Sequence, residues 1–153
     1  MDRLSFRIDC DPPTATAQGK RMQIVHGKPI FFESKEMKEA KRYLGLLMNQ
    51  HVPAQPIPGP LAIAVEVDWP FRKEDLRRRD SNRIPHVGKP DCDNWVKGFL
   101  DLLVDLGFLL KDHEVSELSI KKYRSNAPGI SVVIERIEGG AKVCSLPGME
   151  EVA

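Results

Sequence analysis

The chain opens on a strict alternation. In "LSFRID", Leu4 to Asp9, apolar and polar side chains trade places, the period of a strand with one buried face. Pro12-Pro13 stops it, because proline brings no N–H to a ladder. "RMQIVHGKPIFF", Arg21 to Phe32, holds two short apolar runs around His26-Gly27-Lys28 and predicts a hairpin. In "SKEMKEAKRYLGLLMNQH" the period changes. Met37, Ala40, Lys41, Leu44, Leu47 and Met48 fall at helical spacing, lysines and glutamates take the other face, and Ser34 is placed to cap the N-terminus. "VPAQPIPGP", Val52 to Pro60, is a proline-rich connector too short to separate domains. "LAIAVEVDWPF" predicts the central strand, ended by Pro70, and a long loop over residues 72–90 follows. Trp95, Phe99, Leu102, Leu103 and Leu106 then form the core-facing stripe of a second helix, with Gly107 suited to the residue after its C-terminus. "SELSIKKYR" and "GISVVIERI" predict a final hairpin turning at Ser125–Gly129.

This order predicts an α+β fold of two layers, with a mixed or mostly antiparallel sheet and two main helices. The length of 153 residues favours one domain with a modest core. Residues 1–137 form that expected domain. Residues 138–153 lack periodicity and are expected to be a flexible tail.

Charge alters the picture locally. The sum is only +1, yet residues 71–90 carry seven Lys/Arg against three acids, including Arg77-Arg78-Arg79. Such a stripe can bind phosphates or can simply be a solvated loop. Cys10, Cys92 and Cys144 form no C-x-x-C pair, which argues against a disulfide framework and against zinc. No apolar run is long enough for a membrane span, and "MDRLSFRIDCD" is not a signal peptide, so the cytoplasm is the expected location.

The candidate chemistry sits in "GKPDCDNWVKGFLDLL", Gly88 to Leu103. Asp91 and Asp93 stand at the mouth of the second helix. One acid suffices for a cap; two, followed by Asn94, are also suited to sharing a hard cation. D-x-D-N alone supports either reading. A calcium loop fails, since Trp95 and Val96 occupy the positions that would need an oxygen ligand and a glycine. Lys97 lies one turn beyond Asp93, as an ordinary ion pair or as a cation for phosphate. Asp112, in "LLKDHEV", is a polar loop residue or a third acid returning to the same site.

"KPDCDNWVKGFLDLLVDLGFLLKDHEV" resembles the signature of the RusA family of Holliday junction resolvases. The matching residues are Asp91, Asp93, Asn94, Lys97, Asp101, Gly107, Phe108, Asp112 and Val115. An early Pro-Pro, a helix, a strand, a basic loop and a last hairpin extend the likeness. Two departures stand out. The family's acidic pair appears here as Lys111-Asp112, and the asparagine that often follows the Pro-Pro is replaced within "PPTATAQ".

The resemblance implies a homodimeric endonuclease that cuts four-way DNA junctions in recombination and repair. Asp91, Asp93 and Asp112 would bind Mg²⁺, with Mn²⁺ as a substitute, Lys97 would complete the catalytic set, and Asn94 would orient a ligand carboxylate. Arg77, Arg78, Arg79, Arg83 and Lys89, with Lys121, Lys122 and Arg124, are the expected contacts to the phosphates of branched DNA. Two rivals share these residues: a nuclease for other branched DNA, and a structure-specific binder with weak or lost catalysis.

Overall fold

The strand over Leu61–Pro70 (β4) organises the molecule. Its odd-numbered side chains, Leu61, Ile63, Val65, Val67 and Trp69, are all buried, while Ala64 on the other face is exposed. The structure, a computed structural model, describes residues 1–16, 21–77 and 82–138. The elements run β1 (Arg3–Asp9), β2 (Arg21–Val25), β3 (Lys28–Phe32), α1 (Lys35–Met48), β4, β5 (Arg83–Pro85), α2 (Cys92–Leu106), β6 (Val115–Ser125) and β7 (Gly129–Arg136). The main sheet has the order β1-β7-β4-β6-β5, and β2 pairs with β3 in a separate two-stranded sheet. This is the expected α+β architecture, with a mixed sheet and two main helices.

One expectation is overturned. β6 and β7 do not form a hairpin: β4 lies between them, parallel to β6 and antiparallel to β7. The chain at 126–128 therefore passes over the end of β4, where Pro70 closes the strand. Adjacency in sequence favoured a hairpin, but a strand buried as thoroughly as β4 needs a partner on each edge. The 72–90 loop is also more structured than expected, with a 3-10 turn at Lys73–Arg77 and the short β5.

Both helices cover the same face of the sheet. Leu44 and Met48 of α1 and Trp95, Phe99, Leu102 and Leu103 of α2 join Phe6, Ile8, Ile130, Val132 and Ile134 in one core. Truncating fully buried Leu103 to Ala would cost about 2–5 kcal/mol. Ser34 caps α1 as predicted, its Oγ accepting from the Met37 N–H at 3.2 Å. Gly107 ends α2 at φ 91°, a left-handed conformation open to glycine at little cost. β4, α2 and β6 thus form a parallel crossover that delivers the start of α2 and the approach to β6 to one side of the molecule. No described helix is long and apolar enough to cross a membrane.

Candidate active site

The first question is whether the helix uses its acids as caps. α2 begins at Cys92, so Asp91 occupies the N-cap position, with extended backbone at φ −67° and ψ 145°. Its carboxylate accepts no capping hydrogen bond from the helix. It accepts instead from Asn94 Nδ2, at 3.3 Å. Asp93, in the first turn, makes no hydrogen bond or ion pair among the described residues. The helix dipole favours both charges, but capping does not consume them.

From there the charged residues descend one helix face. Asp93, Lys97 and Asp101 stand at i, i+4 and i+8, about 6 and 12 Å along the axis. The chain leaves α2 at Gly107 and enters β6 through a 3-10 turn over Asp112–Glu114. Asp93, Lys97, Asp101 and Asp112 together line a pocket of about 420 Å³, floored by Val96, Leu100, Leu118 and Ile120. Asp101 and Asp112 also wall a neighbouring hollow of about 360 Å³, with Lys41, Asp105 and His113. Asp112 does return to the acids of α2, but at the Asp101 end of the row. Asp91 lies beside the pocket rather than in its lining, held by Asn94.

The carboxylate oxygens suit a hard divalent cation in kind, with the Cys92 thiol also in the pocket lining. They form a row, however: among the described residues no three His, Cys, Asp or Glu side chains gather tightly enough to hold one ion.

The loop before α2 is fixed by β6. Lys122 Nζ donates to the carbonyls of Gly88 and Pro90, at 2.6 and 2.7 Å, which sets the backbone leading into Asp91. Arg124 donates through Nη1 to the Pro70 carbonyl, at 3.1 Å, and through Nε to His86 Nδ1, at 3.3 Å. His86 Nε2 in turn faces the Lys89 carbonyl at 3.1 Å. With Arg124 Nη2 farther from Nε2, at 3.5 Å, the two shorter bonds fit a neutral imidazole with its proton on Nε2. Burial, with Arg124, Lys122 and Arg72 nearby, holds the His86 pKa below its ordinary value, against the opposing pull of the Lys89 carbonyl.

The expected DNA contacts divide accordingly. Lys122 and Arg124 brace the loop. Arg83 reaches the other face of the sheet, where it pairs with Asp68 and Glu66 and covers the Tyr123 ring at 3.5 Å. Lys121 is exposed but, by strand alternation, faces away from the pocket lined by Leu118 and Ile120. Lys89 is exposed two residues before Asp91. Arg78 and Arg79 lie outside the described residues, as does the tail from 139 onward, and only the backbone of Arg77 is described, at the end of its 3-10 turn.

Two residues were not assigned roles from the sequence. Asp101 carried a legible signal, one turn beyond Lys97 on the same face. His86 carried none, since its burial depends on Trp69, with ring centroids 5.4 Å apart, and on Arg124 from a distant strand.

With this geometry established, comparison places the chain. The family model for endodeoxyribonuclease RusA matches residues 12–135. A curated Bacillus subtilis (strain 168) protein, described as "Uncharacterized protein YqaN", is 31% identical over 144 residues, covering 90% of this chain and 99% of that protein. The chain belongs to the RusA endodeoxyribonuclease family.

Proposed function

We propose that this RusA-family chain is a Mg²⁺-dependent endonuclease that resolves four-way DNA junctions by paired symmetric cuts, acting as a cytoplasmic homodimer in recombination and repair. Residues 1–137 would be its nuclease domain and 138–153 an appended tail. One observation carries the reading: Asp93, Lys97, Asp101 and Asp112 share a pocket, and α2 spends no capping bond on the Asp91 carboxylate.

Asp91, Asp93 and Asp112 would contribute carboxylates to the metal, from separate points along the row rather than from one ready-made cluster, and when bound the metal would supply an activated water and neutralise charge on the scissile phosphate. Mn²⁺ would substitute, since carboxylate oxygens suit it as well. Asn94 keeps the Asp91 carboxylate turned toward its own helix face. Lys97, between the acids, offers a cation to the charge that develops on the phosphate oxygens. Val96, Leu100, Leu118 and Ile120 make the floor apolar, which strengthens each charge interaction above it. Lys89 is best placed to meet the backbone next to the cut, and the Arg77–Arg79 run would extend that contact.

The row arrangement also supports the homodimer. β5 pairs with β6 only at Tyr123–Ser125, so the edge of β6 from Val115 to Lys121 has no strand beside it among the described residues, and Leu118 on it is exposed. A second copy against this edge would bring further carboxylates to the pocket. A two-fold dimer offers two sites for symmetric cuts.

A second reading, a structure-specific DNA binder with weak or no cleavage, draws on Lys111 in place of an acid and on the lack of a tight three-acid cluster among the described residues. Incubating a labelled four-way junction and the matching linear duplex with Mg²⁺ or with EDTA decides between them. Paired nicks in the junction alone, lost with EDTA, are expected. Junction binding without cuts in Mg²⁺ or Mn²⁺ would establish the binder.

A further inference from the structure

We infer that the β2–β3 hairpin is a wedge that takes up an unstacked base at the branch point of DNA, with Phe31 as the stacking ring. The inference rests on the branched-DNA reading above and adds to it the part of the substrate that the hairpin grips.

The hairpin pairs Met22 with Phe31 and Ile24 with Pro29. Directly opposed residues share a face, and faces alternate along each strand. One face is therefore Met22, Ile24, Pro29 and Phe31, with no polar side chain. It points into solvent: Met22, Ile24 and Phe31 are 58%, 67% and 65% exposed. Among the described residues no third strand joins the pair. Two strands alone are marginal in water, and an apolar face left open marks a binding surface.

The other face carries Arg21 and Lys28 with Ile30 and Phe32. Arg21 reaches Glu36 at 4.0 Å, with both side chains mostly exposed. The sequence from Pro12 to Phe32 contains no acidic residue. An apolar blade backed by Arg21 and Lys28, with Glu33 and Glu36 only beyond its base, complements a nucleic acid.

Its flanks are tied to the body of the fold. Trp69 Nε1 donates to the Pro12 carbonyl at 2.8 Å, and Trp95 Nε1 to the Pro13 carbonyl at 2.9 Å. Trp95 lies on the core side of α2, opposite the acid row. At the far end Ser34 caps α1 and Glu33 pairs with Lys41. The chain is thus held before the hairpin at Pro12-Pro13 and after it at the start of α1, with residues 17–20 outside the described residues.

Size decides the occupant. Strands of five residues span about 16 Å, too little for the roughly 800 Å² per partner of a stable subunit interface. A base wedge needs only one or two apolar side chains. The strand edge of β6 remains the surface for a second copy.

The test uses a four-way junction carrying 2-aminopurine at its branch point, a linear duplex with the same label, and the variants F31A and F31W. Phe31 is exposed, so circular dichroism should match across all three proteins. The wild-type chain is expected to raise 2-aminopurine fluorescence in the junction alone. F31A should abolish the rise and weaken junction binding on the order of tenfold, with duplex binding unchanged, while F31W keeps both. If F31A binds the junction and lights the probe like the wild type, the wedge is wrong and the resolvase reading survives. If the wild type shows no preference for the junction over the duplex, the branched-DNA reading itself falls. If F31A sediments as a monomer where the wild type is a dimer, the hairpin is a subunit contact, and the inference is overturned.

Discussion

Two groups of charges occupy opposite faces of the sheet and teach different lessons. On the open face, Asp68 is 2% exposed and fully engaged: Arg83 donates to it through Nε at 2.7 Å and Nη2 at 3.1 Å, and Arg7 Nη1 lies at 3.6 Å. Arg7 also donates to Ser131 Oγ and to the Ala127 carbonyl. Hydrogen bonding to Asp68 raises the Arg83 pKa further above its already high value. On the helix face, Asp93, Lys97, Asp101 and Asp112 share a pocket, and no ion pair joins them. Both places combine carboxylates with cations. The first group has used its charges on itself, so its role is structural. The second keeps them available, which is what binding a metal and a phosphate requires.

The largest effect that sharpens this contrast is expected from Asp93→Asn. Cleavage of a four-way junction should fall on the order of 10²–10³-fold, while Tm changes little, because the carboxylate makes no hydrogen bond or ion pair among the described residues and only the helix dipole favours its charge. Junction binding should persist or tighten. A variant that cuts at the wild-type rate would remove Asp93 from the site. Asp68→Asn should behave in the opposite way. It takes the shared buried carboxylate from two guanidiniums, leaving Arg83 with Glu66 and Arg7 with the exposed Asp9, and should cost about 2 kcal/mol, or roughly 4–8 °C in Tm. The cleavage rate per folded molecule should stay near wild type. If instead Asp68→Asn stops cutting without loss of stability, the two faces do not divide as described.

A smaller effect is expected at Asn94. Its amide orients the Asp91 carboxylate without belonging to the pocket lining, so Asn94→Ala should lower cleavage about tenfold and raise the Mg²⁺ concentration needed for half-maximal rate. Asn94→Asp replaces the donor with a second anion and should be worse. A tenfold loss with an unchanged Mg²⁺ requirement would place Asn94 on the DNA rather than on Asp91.

The sequence made most of this legible because periodicity reports burial directly. Alternation in "LSFRID" and "LAIAVEVDW" located β1 and β4, and the stripe from Trp95 to Leu106 located α2 and, on its opposite side, the acid row. What it could not show was set by long-range packing. β4 entering between β6 and β7 depends on edges meeting across the fold, whereas local spacing favoured a hairpin. Arg83 and Lys122 look alike in a list of cations, yet Asp68 claims one and the carbonyls of Gly88 and Pro90 claim the other. A charge count cannot separate a cation awaiting phosphate from one already engaged.

His86 gives the smallest and most specific test, because it joins the braced loop to the site. The neutral ring donates from Nε2 to the Lys89 carbonyl and accepts at Nδ1 from Arg124. Protonation removes that acceptor and sets a cation against Arg124, with Lys122 and Arg72 adding to the repulsion. The folded-state pKa therefore lies below the usual 6.5 of the unfolded chain. The sign follows: the unfolded state takes the proton first, so the contribution of His86 is present above pH 6.5 and is lost as pH falls through the depressed folded-state value. Wild-type Tm should drop by a few degrees more than that of His86→Gln as pH is lowered from neutrality through this window, since glutamine keeps a donor and cannot charge. The change should be concentrated near Trp69, whose ring packs on His86, so its fluorescence should titrate in the wild type and stay flat in the variant. Parallel curves in the two proteins would assign the acid sensitivity to the carboxylates and leave the loop's hold on Asp91 independent of this histidine.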